Sequence, residues 1–353
     1  MKEIRVIKFD LKENYLYLRC YLEIDRLLQN RKKSMKHVFS FILILLISDI
    51  TLAQDLEFTQ FYSNPVYLNP AFAGTHGCPR FAMNYRNQWP SLPGSYVSYA
   101  ASYDQYFKNI SGGIGVVLVN DVQAKTINTT TGSLIYSYHT KLSRKWNLLF
   151  GAKATWVQKS LDWSKLTFGD MIDPRKGFIY STGDQVRGGN FGFFDVSSGL
   201  VLFSKTFNFG LAANHLSQPN ESMIRGTNDR LPIRLTAHTS ATIALGKKSK
   251  FSNITTIMPS IIYSYQNGFN QLNVGTYVKY GALTVGTWFR NRDAFILTVG
   301  LTTSVFKIGY SYDVTVSKLN NGVSGGSHEI SLGFNLNCKT PPQRYKTVSC
   351  PSF

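Results

Sequence analysis

Two alternating runs joined by a Gly/Asn/Ser loop, at residues 305–336, constrain this chain more than any other feature. In the first run Phe306, Ile308, Tyr310 and Tyr312 fall on one face, and Lys307, Gly309, Ser311 and Asp313 on the other. In the second, Ile330, Leu332, Phe334 and Leu336 oppose Ser331, Gly333, Asn335 and Asn337. Side chains alternate across a strand, so each run is a ribbon with one apolar and one polar face. A soluble sandwich would bury the apolar face. An outer-membrane barrel would set it against lipid and line its lumen with the polar face.

The N-terminus helps to choose between them. No stretch of eighteen or more apolar residues exists, which excludes a helical membrane protein. The apolar run at 38–47 follows the basic start Met35-Lys36-His37 and precedes Thr51-Leu52-Ala53, with small residues where a signal peptidase needs them. This reads as a signal peptide over 35–53, cleaved between Ala53 and Gln54. Residues 1–34 precede that start and are expected to be a gene-model extension absent from the mature protein. The exported chain then carries about 28 basic and 14 acidic residues. Its charges are scattered rather than clustered with aromatics, which argues against nucleic acid and for anionic headgroups or an acidic partner.

From residue 54 the expected order is a plug or periplasmic lead-in at 54–79, a barrel at 80–337 and a periplasmic tail at 338–353. The first segment contains Asn64-Pro65 and Asn69-Pro70, which disfavour regular ladders. Its aromatics Phe58, Phe61, Tyr62, Tyr67 and Phe72 predict that it packs against something. Beyond Pro79 the alternation predicts fourteen strands, near 80–88, 95–104, 111–120, 128–141, 146–160, 189–203, 206–217, 230–245, 251–266, 269–280, 281–291, 293–304, 304–316 and 327–337. Many exceed the usual globular length and suit tilted membrane strands. The odd connections include the long stretches 161–188, 217–229 and 317–326, while the even ones are short. That asymmetry is expected of an outer-membrane barrel with both termini in the periplasm. The fifth strand shows the lipid face clearly, with Trp146, Leu148, Phe150, Ala152, Ala154 and Trp156 on one side. The fold expected is all-β, a transmembrane barrel of about fourteen antiparallel strands with a plug-like N-terminal segment.

The residues do not assemble a catalytic centre or call for a cofactor. His76, His139, His215, His238 and His328 are scattered, without metal-ligand spacing or a CxxC. Ser327-His328-Glu329 are consecutive, so on a strand they point alternately inward and outward rather than converging. His139 and Lys141 are expected to line the lumen. Gly112-Gly113-Ile114-Gly115 lies in a strand rather than a strand–helix turn, so it is no phosphate loop. Asp162, Asp170, Asp173 and Asp184 lack calcium-loop spacing. Of the exported cysteines, Cys338 and Cys350 could close a small loop in the tail, with Cys78 free or paired elsewhere.

The chain resembles the PorP/SprF family, outer-membrane proteins of the type IX secretion system and its associated gliding machinery. The carrying segments are Phe58-Thr59-Gln60-Phe61-Tyr62 with Asn64-Pro65, then Tyr67 through Gly74, and Tyr85-Arg86-Asn87-Gln88-Trp89 with Pro90. They continue with Asn120-Asp121, His215-Leu216 with Pro219, and Arg290 through Ala294. The last are Ile308 through Asp313, Ser327-His328-Glu329-Ile330 and the terminal Cys350-Pro351-Ser352-Phe353. The resemblance implies a non-enzymatic export component that works with a periplasmic ring or its lipoprotein and with secreted substrates bearing sorting domains, such as adhesins. The partner-facing candidates are Asn69, Pro70, Arg86 and Trp89, the outer-loop residues Asp170, Asp173 and Arg175, and the tail residues Arg344 and Lys346. More loosely, the N-terminal Asn-Pro-Ala is similar to the plug of FadL-type barrels. The alternative reading is therefore a FadL-like transporter or porin of small solutes.

Overall fold

The computed structural model describes residues 55–336 apart from 167, 174, 179, 182–189, 223–227, 247–253 and 317–320. The expected extension, signal peptide and tail, with Arg344, Lys346, Cys338 and Cys350, lie outside the described residues.

Fourteen antiparallel strands form one closed sheet. In chain order they are β1 (Arg80–Gln88), β2 (Tyr96–Phe107), β3 (Gly112–Gln123), β4 (Ile127–Lys141), β5 (Asn147–Leu161), β6 (Asn190–Phe203) and β7 (Phe207–Asn214). They continue as β8 (Arg234–Ala241, resuming over Ile243–Leu245), β9 (Thr255–Gln266), β10 (Phe269–Tyr280) and β11 (Leu283–Arg290). The last three are β12 (Ala294–Thr302), β13 (Phe306–Thr315) and β14 (Ser327–Asn335). Every strand pairs with its sequence neighbours, and β14 returns to pair with β1, Asn335 against Arg80. Closure leaves no sheet edge, the condition for strands to cross a bilayer.

The break in β8 has a local cause. Its ladder with β9 runs from Arg234–Gln266 to Ser240–Ser260 and resumes in the same register at Ile243–Ile257. Pro259 of β9 falls in the gap and has no N–H to donate. The Thr242 amide meanwhile donates to the Thr206 carbonyl at 2.7 Å.

The exposed face is apolar and aromatic, as the alternation predicts. Leu134 is 65 % exposed, Trp156 55 % and Leu297 56 %, values that only a lipid solvent makes favourable for so many large side chains. Trp146 sits one residue before β5, in the turn. The three longest connections, at 162–189, 215–233 and 316–326, lie at one end of the barrel together with the tight turns at 124–126, 267–268 and 291–293. The other, short-turn end, where the chain also enters at Arg80 and leaves at Asn335, carries only connections shorter than those three. By the rule for outer-membrane barrels the short-turn end is periplasmic.

The inward face departs from the expected polar lining. Leu149, Val201, Met258, Ile262, Tyr277, Trp288 and Ile296 point into the lumen among the serines, threonines and asparagines. They are apolar because they receive Phe61, Tyr62 and Phe72 from the N-terminal segment. A second cluster joins Phe58, Val66 and Ala73 to Ala100, Val117, Val119 and Ile135. The barrel thus has an internal core, and residues 55–79 supply one side of it.

Candidate functional site

The N-terminal segment runs down the lumen from the long-loop end to the short-turn end. Asn-Pro pairs shape it. Pro65 opens a one-turn helix (Pro65–Leu68) and Pro70 a 3-10 turn (Pro70–Phe72), since a proline at the start of a helix loses no hydrogen bond. The Asn69 Oδ1 accepts from the Ala71 amide at 2.9 Å and caps the second turn. Its Nδ2 donates to the carbonyls of Leu211, at 3.0 Å, and Leu200, at 3.3 Å.

Three polar clusters hold the segment. On the side of β1, β13 and β14, Glu329 of β14 accepts the amides of Thr59, at 2.5 Å, and Gln60, at 3.2 Å. Asn84 adds a third donor at 3.1 Å. Asp313 of β13 accepts the Thr59 hydroxyl at 2.8 Å and the Arg86 guanidinium at 2.9 Å. Arg86 also donates to the Thr59 hydroxyl. It lies 3.5 Å from Glu329, and Arg290 lies 3.6 Å from Asp313. Two buried cations thus face two buried anions, which keeps the cluster from holding an uncompensated charge.

Toward the long-loop end His215 is clamped between two carboxylates, Asp195 at 2.8 Å on Nδ1 and Asp55 at 2.9 Å on Nε2. Ser217 donates to Asp195 at 2.7 Å, and Arg234 pairs with Glu57. Burial alone would lower the His215 pKa, but the two carboxylates outweigh it and push it up to about 9. Burial would likewise raise Asp55, yet His215 and Arg234 hold it near 2.

At the short-turn end the segment lies directly on the wall. Ser137 donates to the Ala71 carbonyl at 2.7 Å, and the His139 Nε2 bonds the Ala73 carbonyl at 2.9 Å. Asp104 takes the Gly74 amide at 2.8 Å while paired with Arg80. Inward-facing glycines make this contact possible. A Cβ on Gly113 would collide with Ala73, on Gly151 with Ala71, and on Gly199 with Asn69. Cys78, which ends the segment, is disulfide-bonded.

The structure therefore separates the candidates that the sequence groups together. Asn69, Pro70 and Arg86, expected on partner-facing surfaces, are buried inside the lumen. Trp89 is at the long-loop rim, its ring 5.6 Å from Tyr96 and its amide bonded to Gly326 at 2.9 Å. Asp170 and Arg175 are exposed in the loop after β5. Asp173 there accepts the Arg175 and Lys176 amides and the Tyr180 hydroxyl, which shapes a two-residue hairpin, Ile172–Asp173 with Gly177–Phe178. His139 does reach the lumen, whereas Lys141 lies exposed at the short-turn rim. Ser327 and Glu329 turn inward and His328 outward, toward the Tyr310 hydroxyl at 2.8 Å, so the three do not converge. Sequence reasoning missed Asp55, Glu57, Asp195 and Arg234. Their signal was faint, being acidic residues at the head of the plug and charges at inward positions of β6 and β8.

The family described as type IX secretion system membrane protein PorP/SprF matches residues 50–334. No curated protein matches the sequence. Among solved structures, the chain is similar to the CymD monoaromatic hydrocarbon channel, with 11 % identity, a TM-score of 0.41, and coverage of 77 % of this chain and 92 % of that one. It is similar also to Omp33 of Acinetobacter baumannii, with 10 % identity, a TM-score of 0.39, and coverage of 73 % and 99 %. The P. putida toluene transporter TodX gives 11 %, 0.39, 76 % and 92 %. At such scores the likeness says nothing about cargo. The chain belongs to the PorP/SprF family and is an outer-membrane β-barrel.

Proposed function

We propose that this PorP/SprF protein is a non-enzymatic outer-membrane component of type IX export that supports passage of substrates bearing C-terminal sorting domains, adhesins among them, and through those adhesins serves gliding motility. Family membership over residues 50–334 is the observation that carries this reading. The lumen fits it. Residues 55–79 fill the bore and are tied to β1, β2, β4, β6, β7, β8, β13 and β14, an arrangement suited to a docked component rather than an open diffusion pore. Partners would then act on the rims, periplasmic ring or lipoprotein components below and the exported protein above. The signal peptide expected at 35–53 supplies the route to the membrane.

The test is a pull-down of the tagged protein from outer membranes in gentle detergent, read by mass spectrometry. Recovery of secretion-ring proteins or of a large sorting-domain substrate is the expected result. A barrel that returns with lipid or small solute and no such proteins would overturn it in favour of a small-solute transporter.

A further inference from the structure

The short-turn rim is electrically lopsided. Three neighbouring turns carry exposed basic side chains: Lys108 between β2 and β3, Arg144 and Lys145 between β4 and β5, and Lys205 between β6 and β7. Because consecutive strands are neighbours in the barrel, these turns form one continuous arc. Across the barrel, the turns at 281–282 and 303–305 carry no charge, and the nearest bases among the described residues, Lys279 and Lys307, are half-buried at inward positions of β10 and β13. Among the described residues the acidic side chain toward this rim is Asp104, which is buried and bound to Arg80 at 2.8 Å.

Turn chemistry does not require these charges. In the β4–β5 turn the Ser143 Oγ accepts from the Lys145 and Trp146 amides, and in the β6–β7 turn the Ser204 Oγ accepts from Thr206 and Phe207. The β12–β13 turn is closed in the same way by Thr303 and Phe306, with Ser304 and Val305 at its tip. One turn geometry therefore recurs three times, with basic tips only on the arc side. Apolar side chains stand beside them, Ile110 at 40 % and Leu142 at 65 % exposed.

We propose that this arc docks an acidic protein surface in the periplasm, with Lys108, Arg144, Lys145 and Lys205 as its charged contacts and Leu142 as an apolar anchor. A lipid leaflet meets every turn of the barrel equally and would favour bases around the whole rim. A partner seated to one side needs them on one side, and complementary charge would steer and orient it. The proposal takes from the export reading only the source of the partner.

The experiment places a photo-cross-linking amino acid at Leu142 and, separately, at Val305, in cells expressing the full chain. Protein adducts from position 142 and none from 305 are expected, with the cross-linked peptides rich in Asp and Glu. The adducts should be lost in the combined variant K108E, R144E, K145E and K205E, whose barrel folding is checked by heat-modifiable gel mobility. If that variant does not insert, the same four positions changed to Gln provide the measurement. Adducts to lipid alone, equal adducts from both positions, or adducts that survive charge removal would overturn the arc. An acidic partner from outside the secretion machinery would leave the arc standing and overturn the export reading instead.

Discussion

Arg86 and Asp313 form a buried ion pair at 2.9 Å that spans β1 and β13, and the Thr59 hydroxyl of the plug bonds both partners. Side chains from three parts of the chain, remote in sequence, thus depend on one another. Glu329, between them on β14, is fully buried, with Arg86 its cation at 3.5 Å.

Removing Arg86 should therefore cost more than a surface ion pair. Breaking a buried pair by deleting one partner strands the other charge, at about 3–5 kcal/mol. Arg86→Met should lower the unfolding free energy by that order in urea titrations of the barrel folded into vesicles. Asp313→Asn should share much of the same loss, so the double variant should fall well short of the sum. Additive losses would show that the two residues are not coupled.

The glycine contacts predict a different phenotype. Gly199→Leu or Gly151→Val puts side-chain atoms where Asn69 or Ala71 now lies, while leaving the outward face unchanged. The plug should be displaced from a barrel that still folds. Residues 55–79 contain no Lys or Arg but five Phe and Tyr, so chymotrypsin is the suitable probe. Cleavage within the segment, and a rise in planar-bilayer conductance, are expected for the variants only. Continued protection would mean that the wall does not seat the plug.

Strand positions were legible because a lipid face and an inward face alternate residue by residue, a local signal that each strand carries by itself. The start of β1, the pairing of β13 with β14 and the fourteen-strand count all follow from it. The plug's anchors were not legible, because Thr59 and Glu329 meet across 270 positions of sequence. Alternation says that Glu329 faces the lumen, and nothing local says what it meets there. The same limit hid the apolar lumen positions. Ile296 and Trp288 interrupt polar inward faces for the sake of Phe61 and Tyr62, a partner that lies more than 200 residues earlier in the chain.

Cys78 was legible only as a residue with two possible fates, and the structure has it paired. The other three cysteines, Cys20, Cys338 and Cys350, lie outside the described residues. Cys78 joins the plug to β1, two residues before Arg80, so its bridge restrains the point at which the segment enters the barrel. Cys78→Ser should lower the thermal midpoint and speed chymotryptic cleavage of 55–79, with disulfide losses in exported proteins typically about 2–5 kcal/mol. Intact mass with and without reductant checks the bridge first. The wild type should gain two hydrogens from that bridge on reduction, and Cys78→Ser should not.

The His215 clamp predicts that the head of the plug loosens at alkaline pH. With its pKa raised to about 9, His215 binds its proton more tightly in the clamped state than when released, where its value is near 6.5. Its contribution is then fully present below pH 6.5 and is lost as pH rises through 9. Asp55 works in the opposite direction. Held near 2, against 3.8 when free, it contributes above pH 3.8 and loses that contribution as pH falls through 2. Between about pH 4 and 6.5 both contributions are intact. A spin label beside Asp55 should therefore be immobile at pH 6 and gain mobility progressively toward pH 9.5. His215→Gln should abolish the alkaline transition and leave the label mobile at both values. A label whose mobility is flat from pH 6 to 9.5 in the wild type would show that the two carboxylates do not hold the plug through this histidine.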